Sequence, residues 1–147
     1  MTALTWGSPR DILIDWSSYR FTIWGEAGQR RILIIDDDFG LSRMVALILR
    51  RHSFEVDVAN SGDAGLELMQ SQRYDAVVLD LRMPGKDGRT VFREMRAAGV
   101  ETPVLILSAY DARRASDELG SQSFLDKPFE PEVLVERVTA MLDGARP

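Results

Sequence analysis

The chain has 147 residues, a formal net charge of −5 and no cysteine. That length suits one domain with its own hydrophobic core, and the acidic balance, with no compensating block of Lys and Arg, argues against direct binding of nucleic acid. The lack of cysteine excludes a disulfide framework, a thiolate nucleophile and a Cys-type zinc site, and fits a cytoplasmic protein; no apolar run approaches the roughly 18 residues of a membrane span.

Residues 1–30 read as an N-terminal extension. They lack a basic stretch followed by an apolar one, so no secretory leader is expected. They do hold all three tryptophans, Trp6, Trp16 and Trp24. Within them "DILIDWSSYRFTIWGE" forms two alternating runs around Ser17-Ser18, a candidate β-hairpin with Ile12, Ile14 and Trp16 on one face. An isolated hairpin is marginal in water, so it needs a partner surface on this chain, a second copy or another protein. A disordered leader or an unused upstream start is the alternative. Deletion of residues 1–29 without effect on oligomeric state or partner binding would remove support for a docking arm.

From residue 31 to 147 the pattern changes. Short apolar runs, 31–36, 54–59, 75–80, 103–108 and 123–126, alternate with segments of helical period. The first, third and fourth are nearly all apolar, as strands buried on both faces should be. Leu41, Met44, Val45, Ile48 and Leu49 mark the first helix, Ala64, Leu66, Leu68 and Met69 the second, Val91, Phe92 and Met95 the third, and Val133, Leu134, Val138 and Met141 the last. Ser61 to Asp63 offers an N-cap, Gly99 a C-terminal stop and Pro131 a first helical turn. Five such units predict an α/β doubly wound, five-stranded parallel sheet whose functional residues gather at the carboxyl ends of its strands.

The polar residues at those ends are Asp36, Asp37, Asp80, Ser108 and Lys127. Three carboxylates in one crevice repel and raise one another's pKa unless a cation offsets them. Mg2+ suits oxygen ligands and is commonly shared between one or two carboxylates and a phosphate. Ser108 and Lys127 would then hold phosphoryl oxygens. Asp80 ends the central strand ahead of the turn "LRMPGKDG" and is the candidate nucleophile, since carboxylates form aspartyl phosphates when the donor is reactive. Asp37 is the direct metal ligand in this reading, Asp36 acts through a water, and the Arg82 backbone carbonyl completes the shell. Asp38 is left to cap the following helix. His52, the only histidine, reads as a surface or C-cap residue at a helix end.

The segments "LIIDDD", "YDAVVLDLRMPGKDG", "PVLILSA" and "FLDKPF" together resemble the receiver domain of bacterial two-component response regulators, of the chemotaxis-regulator type, over Arg31 to about Leu142. The resemblance implies a flavodoxin-like fold with strand order 2-1-3-4-5. It also implies an acidic pair at Asp36 and Asp37, a phosphoacceptor at Asp80, a switch hydroxyl at Ser108, a phosphate-binding Lys127, and an aromatic switch at Phe124 that turns inward on phosphorylation. The implied partners are a sensor histidine kinase or histidine phosphotransfer protein and an unidentified downstream protein, reached without a DNA-binding domain. The protein would act as a single-domain phosphorylation switch or as a relay intermediate, and would catalyse only its own phosphorylation and dephosphorylation.

One departure from the family lies in "SAYDARRASDELGSQSF", about one helical turn shorter than usual and poor in apolar residues. The fourth helix is therefore expected to be short, loosely docked or absent, with a homodimer through that face left open. Fast hydrogen exchange across Ala112 to Gly120 is the expected result; exchange as slow as in the sheet would refute it. Two other functions compete. "DDDFG" sets Asp36 and Asp38 in the Asp-x-Asp arrangement of haloacid-dehalogenase phosphatases, although Gly40 replaces the usual Thr or Val and "LDLRMPGKDG" goes unexplained. A scaffold that keeps the fold without phosphorylation is the other.

Overall fold

The computed structural model describes residues 28–144 apart from residue 122, so the expected N-terminal hairpin lies outside the described residues. Five parallel strands, β1 (Arg31–Ile35), β2 (Glu55–Ala59), β3 (Ala76–Asp80), β4 (Val104–Ser108) and β5 (Ser123–Asp126), form one sheet in the order β2-β1-β3-β4-β5. The helices are α1 (Phe39–Arg51), α2 (Gly62–Ser71), α3 (Gly88–Ala97), α4 (Ala112–Leu119) and α5 (Pro131–Gly144). This is the flavodoxin-like arrangement expected from the sequence. The chain turns opposite ways after β1 and after β3, so a crevice opens above the carboxyl ends of these neighbouring strands.

Successive strand residues point to opposite faces, which explains why β1, β3 and β4 are continuous apolar runs. Ile32, Ile34, Val78, Leu105 and Leu107 pack on one face against Val45 and Leu49 of α1 and Leu134 and Val138 of α5. Leu33, Ile35, Val77, Leu79 and Ile106 pack on the other against Val91, Phe92 and Met95 of α3. Each large side chain buried in this way contributes roughly 1.5–3 kcal/mol. In the register, Ile35 lies beside Leu79, and Asp80 beside Leu107. The first and third strands therefore reach the crevice together.

The helix signals hold in detail. Asp38 Oδ1 accepts the Leu41 N–H at 3.0 Å and caps α1, Ser61 caps α2 through the Ala64 N–H, and Gly99 follows α3 in the left-handed conformation, φ 83°. The helix faces follow the expected stripes apart from Met44. In α1 the buried residues are Ser42, Val45, Ala46 and Leu49, while Met44 is exposed. In α2 the fully buried residues are Gly62 and Gly65, while the expected Ala64, Leu66, Leu68 and Met69 are partly buried and pack against the same core; the helix lies so close to β1 that a Cβ at Gly65 would sit 2.5 Å from Ile35 Cδ1.

The fourth helix is short, as expected, with eight residues, but it is neither absent nor detached. Ala112, Ala115 and Ser116 are buried. Small side chains let its backbone approach the sheet without a large apolar stripe, which is why counting apolar residues suggested loose docking. Its first turn borrows a cap from β5: the Ala112 N–H donates to Asp126 Oδ1 at 3.2 Å, since Asp111 makes no side-chain cap bond.

Candidate functional site

Asp36 follows the last residue of β1 and is buried; Asp80 is the last residue of β3 and is buried with it. The main-chain N–H of Asp36 donates to Ala59 O at 3.1 Å, which carries the β1–β2 pairing one residue past the strand. Its Oδ1 accepts the Asp38 N–H at 2.9 Å. Asp80 Oδ1 accepts the Arg82 N–H at 3.4 Å. Lys127, just past β5, donates its main-chain N–H to Ser108 O at 2.8 Å. Its ammonium bridges Asp80 Oδ1 at 3.1 Å and Asp36 Oδ2 at 3.3 Å.

Asp36, Asp37 and Asp80 each present a carboxylate oxygen, and the three atoms lie within 4.8 Å of one another. Burial, and then the neighbouring Asp36 charge, push the Asp80 carboxyl above its usual range; Lys127 and the Arg82 N–H oppose this without cancelling it. For Lys127, burial acts to lower the ammonium pKa, but Asp36 and Asp80 outweigh it and the net shift is upward. The lysine is thus held charged between two carboxylates. An all-oxygen, all-anionic donor set in a half-dry crevice fits a hard divalent cation such as Mg2+.

Each sequence-predicted residue can be placed. Asp36, Asp37, Asp80 and Lys127 converge. Ser108, the buried last residue of β4, turns its hydroxyl to its own loop: Oγ donates to Tyr110 O at 2.7 Å and accepts the Tyr110 N–H at 3.2 Å. The Arg82 main chain approaches Asp80 through its N–H, and the Arg82 guanidinium stands 5.5 Å from the centre of the Tyr110 ring. Phe124 is half-buried in β5, with the Arg137 guanidinium 5.6 Å from its ring centre and an Arg137 N–H donated to Phe124 O. His52 is the exposed C-cap of α1, with Nδ1 3.0 Å from Ile48 O.

A family model described as the response regulator receiver domain matches residues 32–139. The chain belongs to the response regulator receiver family. Response regulator MprA of Mycolicibacterium vanbaalenii is 38% identical to it over 120 residues, covering 80% of this chain and 52% of the relative. MprA of Mycobacterium leprae is also 38% identical, with 80% and 53% covered. The chain spans about half the length of these curated relatives. Among solved structures, the receiver domain of a Francisella response regulator superposes with a TM-score of 0.75 at 30% identity, covering 80% of this chain and all of that one. A putative response regulator from Chloroflexus aurantiacus gives 0.74 at 36% identity, with 78% and 98% covered.

Membership leaves the phosphatase reading without support, and Asp38, its acid/base candidate, is engaged as the cap of α1. No helix among the described residues is long and apolar enough to cross a membrane. Sequence reasoning passed over two groups that shape this receiver site. Gly88 lies against the Asp80 main chain, where a Cβ would come within 2.3 Å of Asp80 O. Asn60 donates its side-chain amide to Asp36 O at 2.7 Å. The glycine was quoted only as part of a turn, and an asparagine after a strand carries no signal of its own.

Proposed function

We propose that this receiver domain is a Mg2+-dependent phosphoryl acceptor on Asp80, loaded in the cytoplasm by a phosphohistidine of a sensor histidine kinase or a histidine phosphotransfer protein. It then acts as a switch or relay intermediate through protein–protein contacts. The observation that carries this reading is the charge of the crevice: three carboxylates face one ammonium. The deficit calls for a divalent cation, and a cation held by so few protein ligands leaves positions for phosphoryl oxygens.

In this reading Asp37 and Asp80 would hold the metal directly, Asp36 would act through a water, and the Arg82 carbonyl would supply a further oxygen. Bound Mg2+ supplies neutralising charge for the phosphoryl oxygens. An Asp80 carboxylate oxygen attacks phosphorus, the P–N bond to the donor imidazole breaks, and the imidazole departs with the bonding electron pair. Lys127 transfers one of its hydrogen bonds from Asp80 to a phosphoryl oxygen. The Ser108 hydroxyl leaves Tyr110 for another, which frees the loop into α4. Phe124 moves inward, and the surface of α4, β5 and α5 changes, where a downstream protein or a second copy reads it.

Incubation with Mg2+ and a small acyl phosphate, followed by intact mass, tests the reading. A phosphoryl adduct that chelation of the metal prevents is the expected result; no adduct with any donor favours a scaffold. The roles of the acidic triplet separate in the same assay. Asp37→Ala is expected to abolish the adduct, while Asp38→Ala leaves it nearly intact and costs about 1 kcal/mol of stability through the lost cap. The reverse order would overturn the assignment of the metal ligands.

A further inference from the structure

Asp36 is held from every side. Its carboxylate is fixed by the Asp38 N–H and Lys127, its N–H by Ala59 O, and its carbonyl by Asn60. The Asp37 carboxylate has none of these bonds among the described residues, so its direction follows from the peptide that precedes it. That peptide is planar, and whatever holds the Asp36 carbonyl also sets the point at which the Asp37 Cα leaves the strand.

Asn60 is the first residue after β2, a strand that contributes no carboxylate to the crevice; its central acid, Asp57, accepts the Tyr74 hydroxyl at 2.7 Å. The Asn60 amide nitrogen donates to Asp36 O at 2.7 Å and to Ser42 Oγ at 3.3 Å. A carbonyl only accepts, so the amide must present its nitrogen to Asp36. Ser42 is buried, and its hydroxyl donates onward to Phe39 O at 3.2 Å. The relay from Asp36 O through Asn60 and Ser42 to Phe39 O brackets the loop at both ends. This also explains why a serine is buried on the α1 face beside Val45, Ala46 and Leu49.

We propose that Asn60 is a positioning residue for the metal site: by gripping the Asp36 carbonyl and the Ser42 hydroxyl, it fixes the Asp36–Asp37 peptide and aims the Asp37 carboxylate at the cation. The inference rests on the metal reading given above. It makes β2, otherwise remote from the chemistry, the support of the ligand loop, and it places the effect in metal affinity rather than in global stability.

Calorimetric titration of the full chain with Mg2+, alongside thermal unfolding without metal, tests it. Asn60→Ala should bind Mg2+ on the order of tenfold more weakly, measured at a temperature where both proteins are folded. Asn60→Asp keeps the shape, removes the donor and adds a negative charge. Positioning predicts weaker binding for this variant as well, whereas a purely electrostatic influence predicts tighter binding. If Asn60→Ala does not unfold cooperatively, Asn60→Asp alone decides. Affinity within twofold of the unaltered chain for the folded variant, or tighter binding by Asn60→Asp, overturns the inference while leaving the metal site standing. Failure of the unaltered chain to bind Mg2+ overturns both.

Discussion

Asp80→Asn is expected to abolish the phosphoryl adduct and, in Mg2+-free buffer near neutral pH, to make the fold more stable by on the order of 1 kcal/mol. The two effects share one cause. Asp80 is 4% exposed, and burial together with the Asp36 charge raises its pKa despite Lys127. A carboxyl whose folded pKa lies above its unfolded value binds its proton more tightly in the folded state. Its ionised form therefore weakens the fold at pH values above the folded pKa, and that penalty disappears as pH falls through the folded pKa to the unfolded one. The stability difference between the two proteins should accordingly be largest near neutrality and shrink in mild acid. Asparagine keeps the shape and leaves Lys127 paired with Asp36. Added Mg2+ should stabilise the unaltered protein and the variant unequally, because ligand binding to the folded state adds stability only where a site exists. Thermal or urea unfolding across pH measures all of this. Destabilisation by Asp80→Asn at neutral pH would mean that the Lys127 contact outweighs the cost of burying the charge.

The parts of the molecule that could be read in advance are those encoded by residue type within one segment. Short apolar runs marked the strands to within a residue at either end, most plainly for β1, β3 and β4, because a strand buried on both faces cannot hide its composition. Pro103 shows where the limit falls: it was placed in β4, yet without an N–H it stands just outside the strand while its carbonyl accepts the Val77 N–H at 2.9 Å. Caps were equally readable, Asp38 and Ser61 among them, because the cap side chain and the N–H it accepts lie three residues apart. What escaped depends on spatial approach between segments distant in sequence. Nothing in "VANSG" says that the Asn60 amide meets a carbonyl 24 residues earlier, and nothing in "ARRASDEL" says that three small residues suffice to seat α4. Nor could the pattern show that Ser108, named as a phosphate ligand, bonds to the Tyr110 backbone in this structure.

Gly88→Ala should cost roughly 3 kcal/mol, on the order of 10 °C in unfolding midpoint, and should largely abolish phosphorylation. Its conformation is not the reason, for Gly88 opens α3 in an ordinary helical position and its N–H donates to Leu81 O at 3.0 Å. Space is the reason. A Cβ would sit 2.3 Å from Asp80 O and 2.7 Å from Leu81 Cα, both main-chain atoms. A flexible side chain could swing aside, but here either α3 or the end of β3 must move. The end of β3 carries Asp80, whose carboxylate has to lie within about an ångström of its in-line position for phosphoryl transfer. Gly85→Ala supplies the contrast from the same turn. Gly85 has φ 75° with nothing within 4 Å of a built Cβ, so alanine there meets only the backbone cost of the left-handed conformation, about 1 kcal/mol. It should leave the adduct intact. Loss of phosphorylation in both variants would indicate that turn flexibility, rather than the close approach of Gly88 to Asp80, positions the acceptor.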